Sequence, residues 1–425
     1  MQTTSGFANL GAEVIARCRK LASFSEDTGG TRRTFLSAPM RDCHREIAGW
    51  LEPLGAQVRV DAVGNLRGFY PGVSPGVSPG VPRILVGSHL DTVPNAGAFD
   101  GILGVVLAVG LVKSLEGMKL PFGIEVVGFS EEEGVRFGVP FIGSRALVGR
   151  VDDELLGRKD EQGVSVRKAI QDFGLNPNEI SKAALGDDVL GYIEFHIEQG
   201  PVLEHLGRPL GVVEAIVGQN RLELTFSGQA NHAGTTPMNL RHDALAAVAE
   251  LILAVENLAQ RTPGTVATVG FVEARPGATN VIAGEARATL DIRHPSDRAR
   301  TEALDELIRH AESIAVRRGV TVKWRTLLAQ HAVAMDPFLT EQIEHAIQKA
   351  GCEPHRMASG AGHDAMILAE KIPAAMIFLR TPGGISHDPS ESVHLDDVAK
   401  ALDCGRHLLT QLAASQEFLG RTCRA

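Results

Sequence analysis

Between Arg83 and Ser130 the chain alternates apolar runs of two lengths: Ile84-Leu85-Val86, then Ile102 to Val112, then Ile124 to Phe129. A short run without polar alternation has no face to show to water, so it must be covered on both sides. Short runs bracketing a long one read as strand, helix, strand, an order that builds a parallel sheet with helices on its faces. The spacing predicts strands over 83–88 and 123–130 and a helix over 101–115. Further buried strands are expected over 191–195 and 372–379, with an amphipathic helix over 396–412. Residues 12–56 read as helical and 58–69 as two short strands.

A different pattern interrupts this one. A strand-like stretch over 211–226 leads to a helix over 243–258, with Leu245, Val248, Leu251, Ile252 and Val255 on one face. Strands follow over 265–272 and 285–292, then a helix from the N-cap Ser296 to Arg317, then a strand over 320–324. The order β-α-β-β-α-β is the ferredoxin-like arrangement. The expected class is therefore α/β: a catalytic domain with a mostly parallel, helix-flanked central sheet, split into 1–211 and 330–425. An α+β lid over 212–329 is inserted into it.

A chain of 425 residues is long for one core, which agrees with two domains. The 51 acidic against 42 basic residues give a net charge of -9, and no basic block stands out, which argues against nucleic-acid and membrane-surface partners. The longest apolar run is too short to span a bilayer, which takes about 20 residues. Five scattered cysteines (Cys18, Cys43, Cys352, Cys404, Cys423) form no C-x-x-C pair and suggest reduced thiols. With no export signal read at the N-terminus, a cytoplasmic location is expected. A local repeat, Pro71-Gly-Val-Ser, Pro75-Gly-Val-Ser, Pro79-Gly-Val-Pro, reads as a surface loop without assigned function.

Polar clusters stand where the buried strands end, the place where open α/β sheets bind ligands. They are Ser88-His89-Leu-Asp91, Phe99-Asp100-Gly101, Ser130-Glu131-Glu132-Glu133, Phe195-His196-Ile-Glu198-Gln199 and Ser386-His387-Asp388. Each has an ordinary reading alone: His89 a satisfied structural histidine, Asp100 a helix N-cap, the three glutamates a solvated acidic turn. Asp91 could accept a hydrogen bond from His89 and fix its tautomer. As a set, imidazoles and carboxylates without thiolate suit two divalent ions sharing one carboxylate, Zn²⁺ or its substitutes Mn²⁺, Co²⁺ and Ni²⁺.

These strings, together with Asn231-His232-Ala-Gly-Thr-Thr-Pro and Ser359-Gly-Ala-Gly-His363-Asp364, resemble the di-metal amidohydrolases related to aminoacylase and carboxypeptidase G. Within them the likeness is to the ureidohydrolase branch, which holds allantoate amidohydrolases, N-carbamoyl-L-amino acid hydrolases and yeast-type β-alanine synthases. It runs from about residue 10 to residue 415. The resemblance implies a zinc-exopeptidase-like catalytic domain and a role for each matched position. Asp100 would bridge two metals, with Glu133 and His387 completing one site and His89 and His196 the other. Glu132 would be the general base and Asp91 would orient His89. Gln199 would contact the ureido end of the substrate or a metal-proximal group, His363 would line the pocket, and Asn280 and Arg293 would hold a carboxylate. His232 would stabilise the oxyanion across a homodimer interface formed by the lid.

Three departures are minor: a single Gly before Phe99 and Asp100 where relatives often carry a second, Asp388 after His387, and the Pro-Gly-Val-Ser repeat. The implied substrate is a small ureido or carbamoyl compound, with allantoate slightly favoured over an N-carbamoyl-L-amino acid from the look of Glu131 to Gly138. A dipeptidase or aminoacylase is the competing hydrolase; there a carboxylate usually stands at the position of His196. A metal-free binding protein on the same fold is the non-enzymatic alternative, and the retention of Glu132 beside Glu133 counts against it. The histidines His44, His205, His310 and His407 read as non-catalytic.

Overall fold

A computed structural model describes residues 4–73 and 82–421. The strands, in chain order, are β1 (Gln57–Val60), β2 (Leu66–Tyr70), β3 (Arg83–His89), β4 (Gly123–Phe129), β5 (Val189–Ile197), β6 (Leu210–Ile216), β7 (Gly218–Ser227) and β8 (Asn231–His232). They continue as β9 (Val266–Arg275), β10 (Val281–Ile282), β11 (Glu285–His294), β12 (Thr321–Gln330), β13 (Val333–Ala334), β14 (Arg356–Ser359) and β15 (Ala374–Leu379). The chain divides into two compact units. One comprises Met1–Glu214, Met335–Met357 and Gly362–Ala425; the other comprises Ala215–Ala334 with Ala358–Ala361.

The first unit is built on the sheet β1-β2-β4-β3-β5-β15-β6. Its middle follows the expected logic: β3 runs parallel to β4 and to β5, and β5 parallel to β15. Every residue of β4, β5 and β15 is buried, as strands covered on both faces must be. The helix Ile102–Ser114 is apolar all round and buried along almost its whole length, because it is clasped between this sheet and the helices Thr4–Ala22 and Leu395–Ala414. Burying each Leu, Ile or Val of that kind contributes roughly 1.5–3 kcal/mol. At the flanks the sheet turns antiparallel, through β1, β2 and β6.

Two local expectations are corrected. Residues 12–56 are not one helical stretch: helices Thr4–Ala22 and Ala38–Leu51 are separated by a loop, and Pro39 occupies the first turn of the second, where its missing N–H does no harm. The stretch over 211–226 is two strands, β6 and β7, broken at Val217. Residues 74–81 of the Pro-Gly-Val-Ser repeat, and Cys423, lie outside the described residues. The other four cysteines are free thiols.

The second unit is a four-stranded antiparallel sheet in the order β12-β7-β11-β9, crossed on one face by the helices Ala244–Arg261 and Asp297–Arg318. This is the ferredoxin-like order. Strand β11 alternates buried and half-buried residues without exception, so one face packs on the helices and the other does not. The packed face joins Leu222, Leu224, Phe226, Leu290 and Ile292 to Val248, Leu251, Val255, Leu307 and Ile314. Leu245 and Ile252, expected on the same helical face as Val248, are exposed instead. Among the described residues no helix is long and apolar enough to cross a membrane.

Candidate metal centre

The sheet of the first unit delivers its polar residues to one place. His89 is the last residue of β3, His196 the penultimate residue of β5, and Glu131 to Glu133 follow β4 after Ser130. Asp100 opens the helix Ile102–Ser114, with Gly101 between them at φ 66°. A Cβ at Gly101 would stand 2.4 Å from the His89 ring, so the Asp-Gly pair brings a carboxylate and an imidazole together only because the second residue has no side chain. His387, after β15, has φ 58°, a left-handed conformation that a non-glycine residue holds at a cost of about 1–2 kcal/mol.

Asp100 is the hub. Its Oδ1 lies 3.2 Å from His196 Nε2 and 3.9 Å from His89 Nε2, while its Oδ2 lies 3.1 Å from His387 Nε2. Glu133 Oε1 is 3.7 Å from His387 Nε2, and the two histidine Nε2 atoms of the first group are 3.4 Å apart. Four donor groups result among the described residues: His89-Asp100-His196 and Asp100-Glu133-His387, which share Asp100, and beside them His89-Glu132-Glu133 and Glu194-His196-His363. Bonds of about 2.0–2.2 Å to a tetrahedral ion put its donors roughly 3.3–3.6 Å apart; the 3.4 Å separation falls inside that range, and those of 3.1, 3.2, 3.7 and 3.9 Å lie just outside it.

The ring orientations suit that use. His196 Nδ1 is 2.9 Å from the Ile197 carbonyl and His89 Nδ1 is 3.0 Å from the Asp91 carbonyl, so each Nδ1–H donates to main chain and each Nε2 faces Asp100. Asp91 thus orients His89 through its carbonyl; its carboxylate Oδ1 is 3.6 Å from the ring. That carboxylate accepts the backbone N–H of Glu132 at 2.9 Å and of Glu133 at 3.0 Å, which clamps the glutamate pair.

The cluster has a strong appetite for positive charge. Burial works against charge on His89 and His196, yet hydrogen bonds and carboxylates around them hold both above the ordinary histidine range. Burial and the Asp100 charge push Glu133 up to about 7, and burial pushes Glu132 well above the carboxylate range. A site that gathers protons on nitrogen and oxygen donors, with no thiolate, has the chemistry of a divalent-cation site, where the ion displaces those protons. The residues therefore fit a divalent metal. The three glutamates do not form a solvated turn: Glu131 and Glu132 are buried and Glu133 is half-buried.

Gln199, at φ 59°, reaches the hub as well, its Nε2 donating to both Asp100 oxygens at 3.2 and 3.1 Å. The His363 ring is buried edge-on against His196, 4.5 Å between centroids. So His89, Asp91, Asp100, Glu132, Glu133, His196, Gln199, His363 and His387 come together in the first unit.

A family model described as Peptidase family M20/M25/M40 matches residues 85–411. The chain is 38% identical over 394 residues to an N-carbamoyl-L-amino acid amidohydrolase of Geobacillus stearothermophilus, covering 92% of this chain and 95% of that protein. It is 36% identical over 425 residues to an allantoate deiminase of Arabidopsis thaliana, covering 92% and 80%. A crystal structure of a hydantoinase/carbamoylase-family amidase from Burkholderia multivorans matches with a TM-score of 0.88 at 30% identity, covering 95% of this chain and 98% of that one. The chain belongs to peptidase family M20/M25/M40.

In this M20/M25/M40 chain the other three expected residues lie in the second unit. His232 on β8 and Asn280 just before β10 are exposed, and the Asn280 carbonyl accepts the Ala233 N–H at 2.9 Å. His232 Nδ1 accepts the Gly234 N–H at 3.0 Å, which leaves Nε2 as the protonated donor. The Arg293 fork pairs with Asp291, Nε and Nη2 each donating at 2.9 Å, and Nη1 donates to the Gly360 carbonyl at 2.7 Å. Three of its five N–H groups are thereby used, leaving two for a ligand.

Sequence reasoning missed two buried glutamates. Glu391 Oε1 accepts the N–H of Phe99 at 2.8 Å and of Asp100 at 2.9 Å, tying the loop of the hub to the loop of His387. A Cβ at Gly97 would meet Glu391 Cβ at 2.5 Å, which shows how closely the two loops approach. Burial and the Asp100 charge push Glu391 up to about 7. Glu194, on β5, accepts from Ser88 Oγ at 2.8 Å and from the Ala365 N–H at 3.0 Å, bracing the residue before His89. Its position two residues before His196 was the available signal; Glu391 had none beyond nearness to His387.

Proposed function

We propose that this chain is a two-metal amidohydrolase that cleaves the ureido C–N bond of a small carboxylate-bearing substrate, releasing ammonia and carbon dioxide. The observation that carries the reading is the split use of Asp100, one oxygen toward His89 and His196 and the other toward His387 near Glu133. It is supported by relatives named for hydrolysis of N-carbamoyl-L-amino acids and of allantoate. Zinc is the first choice for the two ions, and manganese, cobalt and nickel follow from the same donors.

A ureido carbon is a poor electrophile because both nitrogens donate into the carbonyl. Divalent ions bound here supply Lewis-acid polarisation of that carbonyl and make water acidic enough to ionise near neutral pH. Asp100, Glu133, His89, His196 and His387 hold the ions. Glu132 takes the proton from the attacking water and returns it to the leaving nitrogen, so that ammonia departs rather than an amide anion. Its neighbour Glu133 is a ligand, and the Asp91 carboxylate fixes the backbone of both, so their roles do not exchange. Gln199 contacts the ureido end and His363 lines the pocket. Arg293 and Asn280 receive the carboxylate. His232, a preset Nε2–H donor, serves the oxyanion of a second copy in a homodimer; loss of such a donor costs about 2.7–4 kcal/mol of transition-state stabilisation.

The test is an ammonia-release screen over allantoate, N-carbamoyl-β-alanine and several N-carbamoyl-L-amino acids, with Glu132→Ala as control. Release from at least one ureido substrate, absent in the variant, is expected. No release from any of them, or full activity in Glu132→Ala, contradicts the reading.

A further inference from the structure

Glu132 and Glu133 stand at the start of a small closed loop. The near end is fixed by Asp91, whose carboxylate accepts the N–H groups of both. Beyond Glu133 the chain reverses through Gly134 at φ 71° and Gly138 at φ 66°, with the Gly138 N–H on the Gly134 carbonyl at 2.9 Å. It then returns to its start, the Phe141 N–H donating to the Glu132 carbonyl at 3.3 Å. A Cβ at Gly134 would stand 2.8 Å from the Pro140 nitrogen, so the loop closes this tightly only with glycine there. Whatever shifts the segment 134–141 is therefore felt at the glutamate pair.

One side chain pins the far end of the loop. Arg136 donates from Nε to Asp160 Oδ2 at 2.9 Å and from Nη1 to the Phe35 carbonyl at 2.8 Å. Asp160 is preset for this contact. Its Oδ1 accepts the N–H groups of Gln162 at 3.1 Å and Val164 at 2.9 Å, which turns Oδ2 to the guanidinium. The Asp160 side chain is 2% exposed and that of Arg136 23%, so a carboxylate is held out of water against this cation. The fork ties the glutamate loop to two other segments. Phe35 lies between the helices Thr4–Ala22 and Ala38–Leu51, and Asp160 between Asp153–Gly157 and Val166–Asp172. Side-chain packing does not duplicate the tie on one side: Val135 and Arg136 border a cavity of about 690 Å³, with Leu36, Ser37 and Pro94 among its other walls. The loop has room to move there once the fork is released.

We infer that Arg136 and Asp160 are positioning residues for Glu132, and that their ion pair sets where the base stands against the metal centre. The inference rests on the amidohydrolase reading and deepens it. A bound ion holds Glu133 by its carboxylate as well as by its main chain. Glu132, as base, has to stay free of the ions, so its place depends on the main chain of the loop. Loosening the loop displaces the base first and leaves the ligands where they are. A misplacement of about 1 Å can cost roughly 100-fold in rate, so the pair governs kcat from outside the donor groups. A lysine at position 136 carries the charge but lacks the planar fork that meets both acceptors at once.

The experiment compares Asp160→Asn, Arg136→Gln and Arg136→Lys with the native chain, each as full-length metal-loaded protein. Asparagine keeps an oxygen for the Gln162 and Val164 N–H groups, so the turn survives while the ion pair is lost. The readouts are kcat, KM, bound metal by elemental analysis, and amide hydrogen exchange over residues 131–141. In Asp160→Asn and Arg136→Gln, kcat should fall about 10- to 100-fold while KM stays within about twofold and the metal content is unchanged. Exchange should quicken at the Glu132, Glu133, Gly138 and Phe141 amides and not in β3 or β4. Arg136→Lys should recover part of kcat. Native kcat in Asp160→Asn, unchanged exchange in the loop, or a fall in rate matched by lost metal or raised KM overturns the assignment. Exchange that rises over the whole chain in all three variants makes the pair a general support of the fold and overturns it as well. A native chain that releases no ammonia from any ureido substrate instead sinks the amidohydrolase reading, and the base assignment with it. That result is distinct from the exchange data, which read the tie directly.

Discussion

Glu132 and Glu133 are adjacent in sequence and opposite in expected role, and the distinction comes from what each touches. Glu133 lies 3.7 Å from His387 in the shared donor set, whereas Glu132 is buried beside His89. Glu132→Gln should keep its metal, measured by elemental analysis, while ammonia release falls by roughly 10²–10⁴, the usual contribution of a positioned base. Loss of metal together with activity would make Glu132 a ligand instead. Glu391 works one step further out. Its Oε1 satisfies two main-chain donors at the hub, so Glu391→Ala should leave the Phe99 and Asp100 N–H groups unpaired and destabilise the chain by about 1–3 kcal/mol in urea denaturation, with weaker metal binding by titration. The isosteric Glu391→Gln, which retains one carbonyl acceptor, should recover much of both; equal metal affinity in the native and alanine forms would refute the positioning role.

At the scale of elements, the helix Ala38–Leu51 carries a built-in pH response. His44 is buried in it, edge-on to Phe173 with centroids 5.9 Å apart. Burial, then the charges of Arg33 and Arg41, lower its pKa to about 3. The folded chain thus binds this proton more weakly than the unfolded one, so the contribution to stability is complete above about pH 6.5 and is lost as pH falls toward 3. At pH 4.5 the loss is about 3 kcal/mol at most. His44→Gln should therefore flatten the fall in Tm between pH 7 and 4.5; parallel profiles for the two proteins would contradict it. The same scale shows what the sequence could reveal. Long apolar runs such as Ile102 to Val112 declared themselves, since nothing but a covered helix can carry them. The helices Ile142–Leu147, Asp153–Gly157 and Val166–Asp172 did not, because five to seven residues hold too little periodicity. The antiparallel flanks of the sheet were equally hidden, since an apolar run does not encode the direction of its neighbour.

At the scale of the whole molecule, the chain gathers residues from His89 to His387 into one cluster of the first unit, and this was readable because each cluster followed a buried strand. What was not readable is how the polar groups share their work. Sequence put Asp91 beside His89, but only the fold shows its carbonyl serving the ring and its carboxylate serving the glutamates. It likewise offered Arg293 as a carboxylate receptor without showing that Asp291 already occupies its fork. The central claim, metal-assisted ureido hydrolysis at the Asp100 hub, is tested most directly by removing the metal. The purified chain should contain about two divalent ions per subunit, lose ammonia release on dialysis against a chelator, and regain it when zinc or manganese is returned. Undiminished ammonia release from chelated, metal-free protein would contradict the account.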